Sequence, residues 1–324
     1  MDRKPRILVV GIFVMDLIAS TKQAPNRGET VIGLNFRTAP GGKGANQAVQ
    51  CARLGADVTM AGRVGDDAYG RETVAAAAAA GVDVSRVVVD AENPTGVSAI
   101  TLEITETGAH NRIVVCPGAN GAMTVEEISW IRDEVKNYDL VMLQFELPMF
   151  INEAVARWAH DAGVPVMVNP APAAPVSPEL YRCAAFFSPN EHEARDLSGV
   201  AIGHEGSHVD EASVRAAAAK LGEKGVEKLL ITIGSAGAAL VEDGRFVLSP
   251  SVPGVKAIDP TAAGDSFVGA FCVAVCSGLS SEDALRFANH TAALTVSRLG
   301  AMPSLPTLAE VAATMPGGVS GLEG

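Results

Sequence analysis

The chain is poor in features on which whole classes of protein depend. Of its 324 residues only 5% are aromatic, and acidic residues outnumber basic ones by 37 to 25. A net charge of −12 argues against general binding of nucleic acid or of an anionic membrane. The apolar run from Ile7 to Met15 stops at Asp16, lacks a signal-peptide cleavage pattern and is too short to span a bilayer. We therefore expect a cytoplasmic protein that binds neither nucleic acid nor membrane.

Metal and dinucleotide motifs are also missing. No His-Glu-x-x-His or cysteine cluster indicates zinc, and no Gly-x-Gly-x-x-Gly follows the first strand. Gly42-Lys43 lacks the earlier glycine of a Walker A loop. The odd number and the spacing of the cysteines predict small buried thiols in a reducing compartment, at Cys51, Cys116, Cys183, Cys272 and Cys276.

What the chain has is apolar material, 48% of its residues, in alternating strand and helix patterns. This alternation predicts βαβ units, and hence an α/β domain with a mostly parallel sheet over residues 1–315. Strands are predicted at 7–11, 58–61, 140–144, 166–169, 185–188 and 228–233. Helices are predicted at 45–54, 67–80, 125–136, 150–162, 191–198, 211–224, 265–277, 281–298 and 307–314.

Two segments have a different pattern. Residues 17–40 are polar and alternating, and residues 95–115 alternate at period two around a polar turn. Both predict short strands, which we expect to join in a small sheet beside the main one. The glycine-rich residues 316–324 predict a flexible tail.

Three motifs indicate a ligand site. Pro40-Gly-Gly-Lys-Gly-Ala-Asn46 is a glycine-rich loop that enters a helix and carries donors for hydroxyls or phosphate. Asp259-Pro-Thr-Ala-Ala-Gly-Asp265 precedes an apolar helix, whose free N–H groups would form an anion site beside Asp265. Asn190-Glu-His-Glu193 follows a predicted strand, where α/β sheets bind ligands. Taken alone, the three can equally be a tight turn, an N-cap aspartate and a polar helix start.

In this order the motifs resemble the ribokinase family of sugar kinases, the PfkB-type carbohydrate kinases. The resemblance runs from Gly11 to about Pro306. It includes Gly41-Gly-Lys-Gly-Ala-Asn-Gln-Ala, Asn169-Pro-Ala-Pro, Ile231-Thr-Ile-Gly-Ser and the Asp265 segment. It implies a three-layer α/β/α sandwich with a mostly parallel central sheet, over which segments 17–40 and 95–115 form a small β-sheet lid. It also implies ATP-dependent phosphorylation of D-ribose at O5, giving D-ribose 5-phosphate.

The resemblance assigns the reacting groups. In such kinases the aspartate after Ala-Ala-Gly is the catalytic base, which here is Asp265. The backbone N–H groups from Ala262 through Ala263 and Gly264 to Asp265 would form the anion hole for the transferred phosphoryl group. The positions that match the family's sugar contacts are Asp16, Gly42, Lys43, Asn46, Glu146 and Asp265.

The same resemblance assigns the nucleotide and its metal. Asn190 and Glu193 match the motif that organises Mg²⁺ through water together with the phosphates. The other positions that match the nucleotide contacts are Thr232, Gly234, Ser235, Gly237, Gly264 and Asn289.

A potassium site is also implied, formed mostly by backbone carbonyls. The matching positions are Asp259, Thr261, Thr295, Arg298, Gly300 and Ser304. Here the chain departs from the family, because Pro260 replaces the usual threonine. Proline keeps the carbonyl and loses only the N–H, so we expect the site to survive.

Substrate identity depends on a second departure. Family members often carry asparagine two residues before the sugar-binding aspartate, and this chain has Val14 there. An apolar side chain at this position suits 2-deoxyribose as well as ribose, so a deoxyribokinase remains an alternative. A nucleoside or pseudouridine kinase, a keto-deoxy-sugar kinase and an inactive sugar-binding sensor are further alternatives. The lids of two ribokinase subunits pair, so the resemblance also implies a homodimer through the lid strands.

Overall fold

The apolar runs of the sequence form the strands of the molecule. The computed structural model of the chain describes residues 3–105, 108–205 and 208–315. The predicted flexible tail at 316–324 lies outside the described residues. The strands are β1 (Arg6–Val10), β2 (Val14–Thr21), β3 (Asn35–Gly41), β4 (Asp57–Gly65), β5 (Val82–Asp90), β6 (Gly96–Thr105), β7 (Gly108–Cys116), β8 (Leu140–Gln144), β9 (Val166–Asn169), β10 (Phe186–Phe187), β11 (His204–Glu205), β12 (His208–Val209), β13 (Leu229–Thr232), β14 (Ala238–Glu242) and β15 (Arg245–Ser249).

Helices connect these strands and cover the sheet. They are α1 (Lys43–Arg53), α2 (Ala68–Ala79), α3 (Ile131–Glu134), α4 (Met149–Asp161), α5 (Pro178–Cys183), α6 (Glu191–Ser198), α7 (Glu211–Gly222), α8 (Ala263–Cys276), α9 (Ser281–Val296) and α10 (Leu308–Thr314). No helix of the described residues is long and apolar enough to cross a membrane.

A nine-stranded sheet has the order β15-β14-β13-β10-β9-β8-β1-β4-β5. All its neighbours from β13 to β5 pair in parallel, and only the β13-β14-β15 end is antiparallel. Successive residues of β1 point to opposite faces, so Leu8 and Val10 join one apolar cluster while Ile7 and Val9 join the other. Helices α3–α7 pack on the first face and α1, α2 and α8–α10 on the second. The expected α/β/α layering is confirmed.

The second, four-stranded sheet has the order β3-β2-β6-β7. It joins the two segments that the alternating pattern singled out, with β2 and β6 running parallel. Strand β2 begins at Val14, three residues before the start of the predicted segment 17–40. We call β3-β2-β6-β7 the small sheet.

One predicted helix is wrong. Residues 125–130 form turns, and only Ile131–Glu134 is helical, followed by a 3₁₀ turn over Val135–Asn137. Side chains hold these turns, because the carboxylate of Glu127 accepts the N–H of Thr124 at 2.8 Å and pairs with Arg63. The expectation of five buried cysteines also fails, since Cys116 is exposed at the end of β7 and Cys276 is half-buried.

Candidate active site

Side chains of the predicted site meet at one edge of the nine-stranded sheet. Because β1, β8, β9, β10 and β13 are parallel, their carboxyl ends lie together. At these ends stand Gly11, the Gln144–Glu146 segment, Asn169, the Ser188–Asn190 segment and Thr232. A cleft at this edge is lined by residues of all three motifs, among them Lys43, Asn190, Glu193, Thr232, Gly264 and Asp265.

Asp265 lies in the first turn of α8, beside free backbone donors. The preceding Ala262 has a left-handed φ of 60°, and its carbonyl accepts the N–H of Ser266 at 2.8 Å. The N–H of Ala263 donates to the carbonyl of Pro260 at 3.2 Å, whereas those of Gly264 and Asp265 have no partner among the described residues. An unpaired N–H pair at a helix N-terminus favours an anion. The predicted anion hole is therefore open at Gly264 and Asp265, and its Ala263 donor is already engaged.

The carboxylate of Asp265 is buried and held by two amides. Asn46 Nδ2 donates to Oδ2 at 2.9 Å, and Gln47 Nε2 donates to Oδ1 at 3.1 Å. Burial raises the pKa of Asp265, while the charge of Lys43 and these two hydrogen bonds lower it. The carboxylate of Asp265 is thus shielded from water but retains groups that stabilise its ionised form.

Lys43 is the cation at the centre of the site. It is the first residue of α1, and its backbone N–H donates to Glu146 Oε2 at 2.9 Å. Burial lowers the pKa of its ammonium group, but Asp265, Glu146 and Glu193 outweigh burial and raise it. Lys43 therefore stays charged among carboxylates from three different elements.

Asp16 lies on β2, where the small sheet meets the nine-stranded one. Its side chain is buried, and a Cβ on Gly41 would lie 2.6 Å from its Oδ2 atom, so a larger residue at position 41 would displace the carboxylate. Burial raises the pKa of Asp16 to about 6, and a hydrogen bond from Ser98 opposes the rise. Val14, the departure from the family pattern, is buried two residues earlier on the same strand.

The Asn190 motif forms a helix start that faces the same cleft. Asn190 accepts the N–H of Glu193, and Glu193 accepts the N–H of Asn190, each at 2.8 Å, in a capping box. Burial raises the pKa of Glu193. The N–H of Thr232 donates to the carbonyl of Pro189 at 3.1 Å, which joins this motif to the end of β13.

After Thr232 the chain makes a tight 3₁₀ turn over Gly234–Ala236, which contains Ser235. Gly237 closes it with a φ of 100°, and a Cβ there would lie 2.1 Å from the carbonyl oxygen of Ser249. Asn289 lies on α9 and donates its side-chain N–H groups to Ser249 and Pro250 at 2.9 to 3.3 Å. Its amide nitrogen is thus engaged in holding the end of β15.

Beside Asn289 lies an apolar cleft that the sequence analysis did not find. Its walls come from the segment after β15 and from α9, with Val252, Val255, Ile258, His290, Ala293 and Leu294. The segment 252–258 has neither a strand nor a helix pattern, so no periodicity could have marked it. Isolated apolar residues in a loop were the only signal.

The positions predicted to bind potassium are brought partly together. Asp259 accepts the hydroxyl of Thr261 and the N–H groups of Thr261 and Gly300, the latter two each at 2.9 Å. Burial raises the pKa of Asp259, but these three hydrogen bonds outweigh burial and lower it. Thr295 contacts the start of α8 through Ser266, at 2.7 Å between their hydroxyl oxygens. The side chains of Arg298 and Ser304 turn elsewhere, to Glu310 and to the carbonyl of Ala301. Within 3–105, 108–205 and 208–315, no three acidic, histidine or cysteine side chains group as metal ligands.

Comparisons with known proteins agree with this geometry. A family model described as "pfkB family carbohydrate kinase" matches residues 4–308. The chain belongs to the PfkB family of carbohydrate kinases. Among its relatives, the ribokinase of Schizosaccharomyces pombe is 41% identical, over 94% of this chain and 96% of that protein. The ribokinase of Bacillus subtilis is 38% identical, over 94% and 97% respectively.

Solved structures extend the likeness to three dimensions. The structure of Arabidopsis thaliana ribokinase complexed with ribose and ATP has a TM-score of 0.84 with this chain, at 33% identity. The likeness covers 95% of this chain and 98% of that one. This PfkB family member therefore has the ribokinase-like fold over nearly its whole length.

Within this PfkB site lie two buried amides that the motifs did not indicate. Gln47, one residue after Asn46, donates to Asp265, and Gln144 at the end of β8 donates to Gln47 at 2.7 Å. Gln47 belongs to the Gly41-Gly-Lys-Gly-Ala-Asn-Gln-Ala motif, and Gln144 ends the strand predicted at 140–144, but neither was assigned a role. A glutamine on the buried face of an amphipathic helix was the available signal, because such a group needs a polar partner.

Proposed function

We propose that this PfkB family member is an ATP-dependent kinase of D-ribose that forms D-ribose 5-phosphate. The observation that carries the proposal is the placement of Asp265 beside two free N–H groups at the start of α8, facing the Asp16, Lys43 and Glu146 cluster. Such a cluster offers both acceptors and donors to the vicinal hydroxyls of a furanose. The 38–41% identity to proteins named ribokinase supports ribose as the sugar.

The chemistry follows from this arrangement. The sugar's 5-hydroxyl donates its proton to the Asp265 carboxylate, and the oxygen attacks the γ-phosphorus of ATP in line. The new O–P bond forms as the bond to the β-phosphate oxygen breaks, so that ADP leaves. The N–H groups of Gly264 and Asp265 then stabilise the charge on the transferred phosphoryl oxygens. Lys43 holds sugar hydroxyls and balances the surrounding carboxylates.

In this proposal the nucleotide lies along the cleft between Asn190 and Gly264. Thr232, Gly234, Ser235 and Gly237 contact its phosphates, and the apolar cleft beside Asn289 takes the adenine. Mg²⁺ bound to ATP neutralises phosphate charge, and Glu193 is the carboxylate that would hold it through water. A single protein carboxylate suits Mg²⁺, which usually keeps several of its waters.

The potassium site is part of the same proposal. The ionised carboxylate of Asp259 and the surrounding loop carbonyls are hard oxygen ligands of the kind an alkali cation takes. Pro260 keeps its carbonyl, which is engaged with the Ala263 N–H. When bound, the cation would supply positive charge that steadies the loop from Asp259 to Ala262, and with it the anion hole.

The test is a substrate panel. ADP release from MgATP is measured with D-ribose, 2-deoxyribose, fructose, adenosine, pseudouridine and 2-keto-3-deoxygluconate, each in potassium and in sodium. We expect the highest kcat/KM with ribose and activation by potassium. A preference for 2-deoxyribose would overturn ribose and mark Val14 as a specificity residue. Binding of sugar without turnover of any would support the inactive sensor instead.

Sugar affinity is expected to fall below pH 7. Burial raises the pKa of Glu146 to about 7 and that of Asp16 to about 6, so both lose their negative charge as the pH drops through this range. Ionised carboxylates accept hydroxyl hydrogens better, so binding favours the charged forms and releases protons. The Kd of ribose should rise by up to about tenfold per pH unit for each group.

Calorimetry in two buffers of different ionisation enthalpy measures both the Kd and the released protons. Glu146→Gln is the control, since it should remove the dependence near pH 7 and keep the one near pH 6. A Kd that stays flat from pH 8 to 5 would contradict the assignment. Folding stability should depend on pH in the opposite direction from sugar affinity. Because the carboxyl pKa values are raised in the folded state, the free energy of unfolding of the sugar-free protein should fall as the pH rises through 7.

We also propose that two chains pair through their small sheets. Strand β7 lies at the sheet edge, and its residues 110–116 are all exposed, including Ile113, Val114 and Val115. An exposed apolar edge strand invites pairing with another chain.

ATP as substrate and five free cysteines further support a cytoplasmic location.

Val114→Lys is expected to convert the dimer to a monomer in sedimentation velocity. Val89→Lys is the matched control, because Val89 is similarly exposed but lies on β5 of the other sheet. A native chain that sediments as a monomer at micromolar concentration would refute the pairing.

A further inference from the structure

The buried amide of Gln47 has one orientation that its surroundings permit. The residue is fully buried, and its Oε1 atom accepts the Gln144 Nε2 group at 2.7 Å. Its own Nε2 group lies 3.1 Å from both Asp265 Oδ1 and Asn169 Oδ1. The reversed amide would place an oxygen against the Asp265 carboxylate and a second donor against Gln144. The neighbouring groups therefore force an N–H toward Asp265.

The chain of amides is anchored at both ends. Asn169 donates to the carbonyl of Ser188 at 2.7 Å, which fixes its oxygen toward Gln47. Gln144 is almost fully buried against Gly11, where an added Cβ would lie 2.4 Å from its Oε1 atom. That Oε1 atom has no hydrogen-bond partner among the described residues. A buried oxygen without a partner costs free energy, so the hydrogen bond from Gln144 Nε2 to Gln47 is what determines the orientation of the Gln144 amide.

The two donors of Asp265 are not equivalent. Asn46 is 5% exposed, its Oδ1 is buried without a partner, and it matches a sugar contact, so it can turn toward a bound hydroxyl. Gln47 is at 0% exposure, and its side-chain hydrogen bonds within the described part of the chain go to Asp265, Asn169 and Gln144. We propose that Gln47 is the positioning residue of the base Asp265, fixing its Oδ1 atom through catalysis, and that Gln144 sets the direction of the Gln47 amide. This inference rests on the proposed kinase function.

The consequence is a specific effect on the protonation of the base. The charge of Lys43 lowers the pKa of Asp265, which burial raises. Three further titratable groups face Asp265 closely enough for its charge to raise their pKa values: Asp16, Glu146 and Glu193. Of the groups at hydrogen-bond distance, Gln47 donates to Oδ1 and Asn46 to Oδ2. Removing the Gln47 donor while keeping its volume leaves the carboxylate buried with less stabilisation, so its pKa rises.

Gln47→Met tests this with two independent readouts. The acid limb of the kcat–pH profile should move up by about one pH unit, which lowers kcat about tenfold at pH values below the pKa of Asp265, while the KM for ribose changes little. A titration of the Asp265 carboxyl carbon by NMR, assigned with Asp265→Asn, should show the same upward shift without any turnover. Gln144→Met should shift both readouts in the same direction but less, and it stands in if Gln47→Met does not fold.

Gln50→Met is the matched control. Gln50 is a fully buried glutamine on the same helix, which bonds Ser266 and the carbonyl of Pro306 but not Asp265. It should lower the melting temperature without moving the acid limb. Wild-type protein that turns over no sugar would refute the kinase function, and the NMR titration would still test Gln47. An unchanged Asp265 titration in Gln47→Met would overturn the inference.

Discussion

Asp265→Asn is expected to lower kcat by about 100- to 10,000-fold, the range for loss of a general base. The amide keeps the size of the side chain but cannot take the proton of the sugar's 5-hydroxyl. It also turns an NH₂ group toward one of the two donors that now hold the carboxylate, Asn46 and Gln47. Single-turnover formation of ADP with saturating MgATP and ribose measures the loss.

Binding separates this effect from misfolding. Ribose and ADP should still bind by calorimetry within about tenfold, since Asp16, Lys43 and the Thr232 loop are untouched. Asp283→Asn is the matched control, because Asp283 also lies in the first turn of a helix, α9, but at a partly exposed position outside the cleft. If Asp265→Asn retains more than a tenth of the wild-type kcat, Asp265 is not the catalytic base.

Much of the fold could be predicted because the parallel strands in the middle of its large sheet, such as β8 and β9, are fully buried. The runs at 140–144 and 166–169 are strands with those bounds, and helix 191–198 begins at the capping box that the sequence contains. Continuous apolar runs and capping residues are local signals, and these determine where such elements start and stop.

The edges of the main sheet were harder to predict. Strand β5 and the β14-β15 hairpin lie outside the predicted elements, and each lies at an end of the nine-stranded sheet. Edge strands are buried less and alternate less clearly, so their patterns are weak. Helix 125–136 failed for a different reason, since Glu127 and Ser129 bond nearby backbone groups in place of a helix.

The residues of the site also fall into those that the sequence motifs indicate and those that only the folded structure brings together. The motifs name Asp16, Lys43 and Asp265 because the resemblance carries roles for them. The pairing of Gln47 with Asp265 spans 218 positions in sequence, and that of Gln144 with Gln47 spans 97. Such contacts depend on how α1, α8 and β8 pack, which no local pattern specifies. Only the assembled sheet shows which amide reaches which carboxylate.

Asp16→Ala is expected to raise the KM for ribose by about 100-fold or more, because two hydrogen bonds from sugar hydroxyls to a buried carboxylate are lost. The substitution should change KM much more than kcat, since Asp16 does not touch the 5-hydroxyl or the anion hole in the proposed arrangement. Steady-state kinetics with ribose as the varied substrate give the two constants separately. Asp66→Ala, at an exposed position, should change neither.

A graded variant distinguishes charge from shape at this position. Ser98 donates a hydrogen bond that lowers the pKa of Asp16, which burial raises to about 6. Ser98→Ala keeps the carboxylate but should raise its pKa further, so the rise of KM at low pH sets in at a higher pH than in the wild type. If Asp16→Ala lowers kcat as strongly as it raises KM, Asp16 acts on the reacting hydroxyl rather than on sugar binding. If Ser98→Ala leaves the pH profile of KM unchanged, the ionised form of Asp16 is not what the sugar binds.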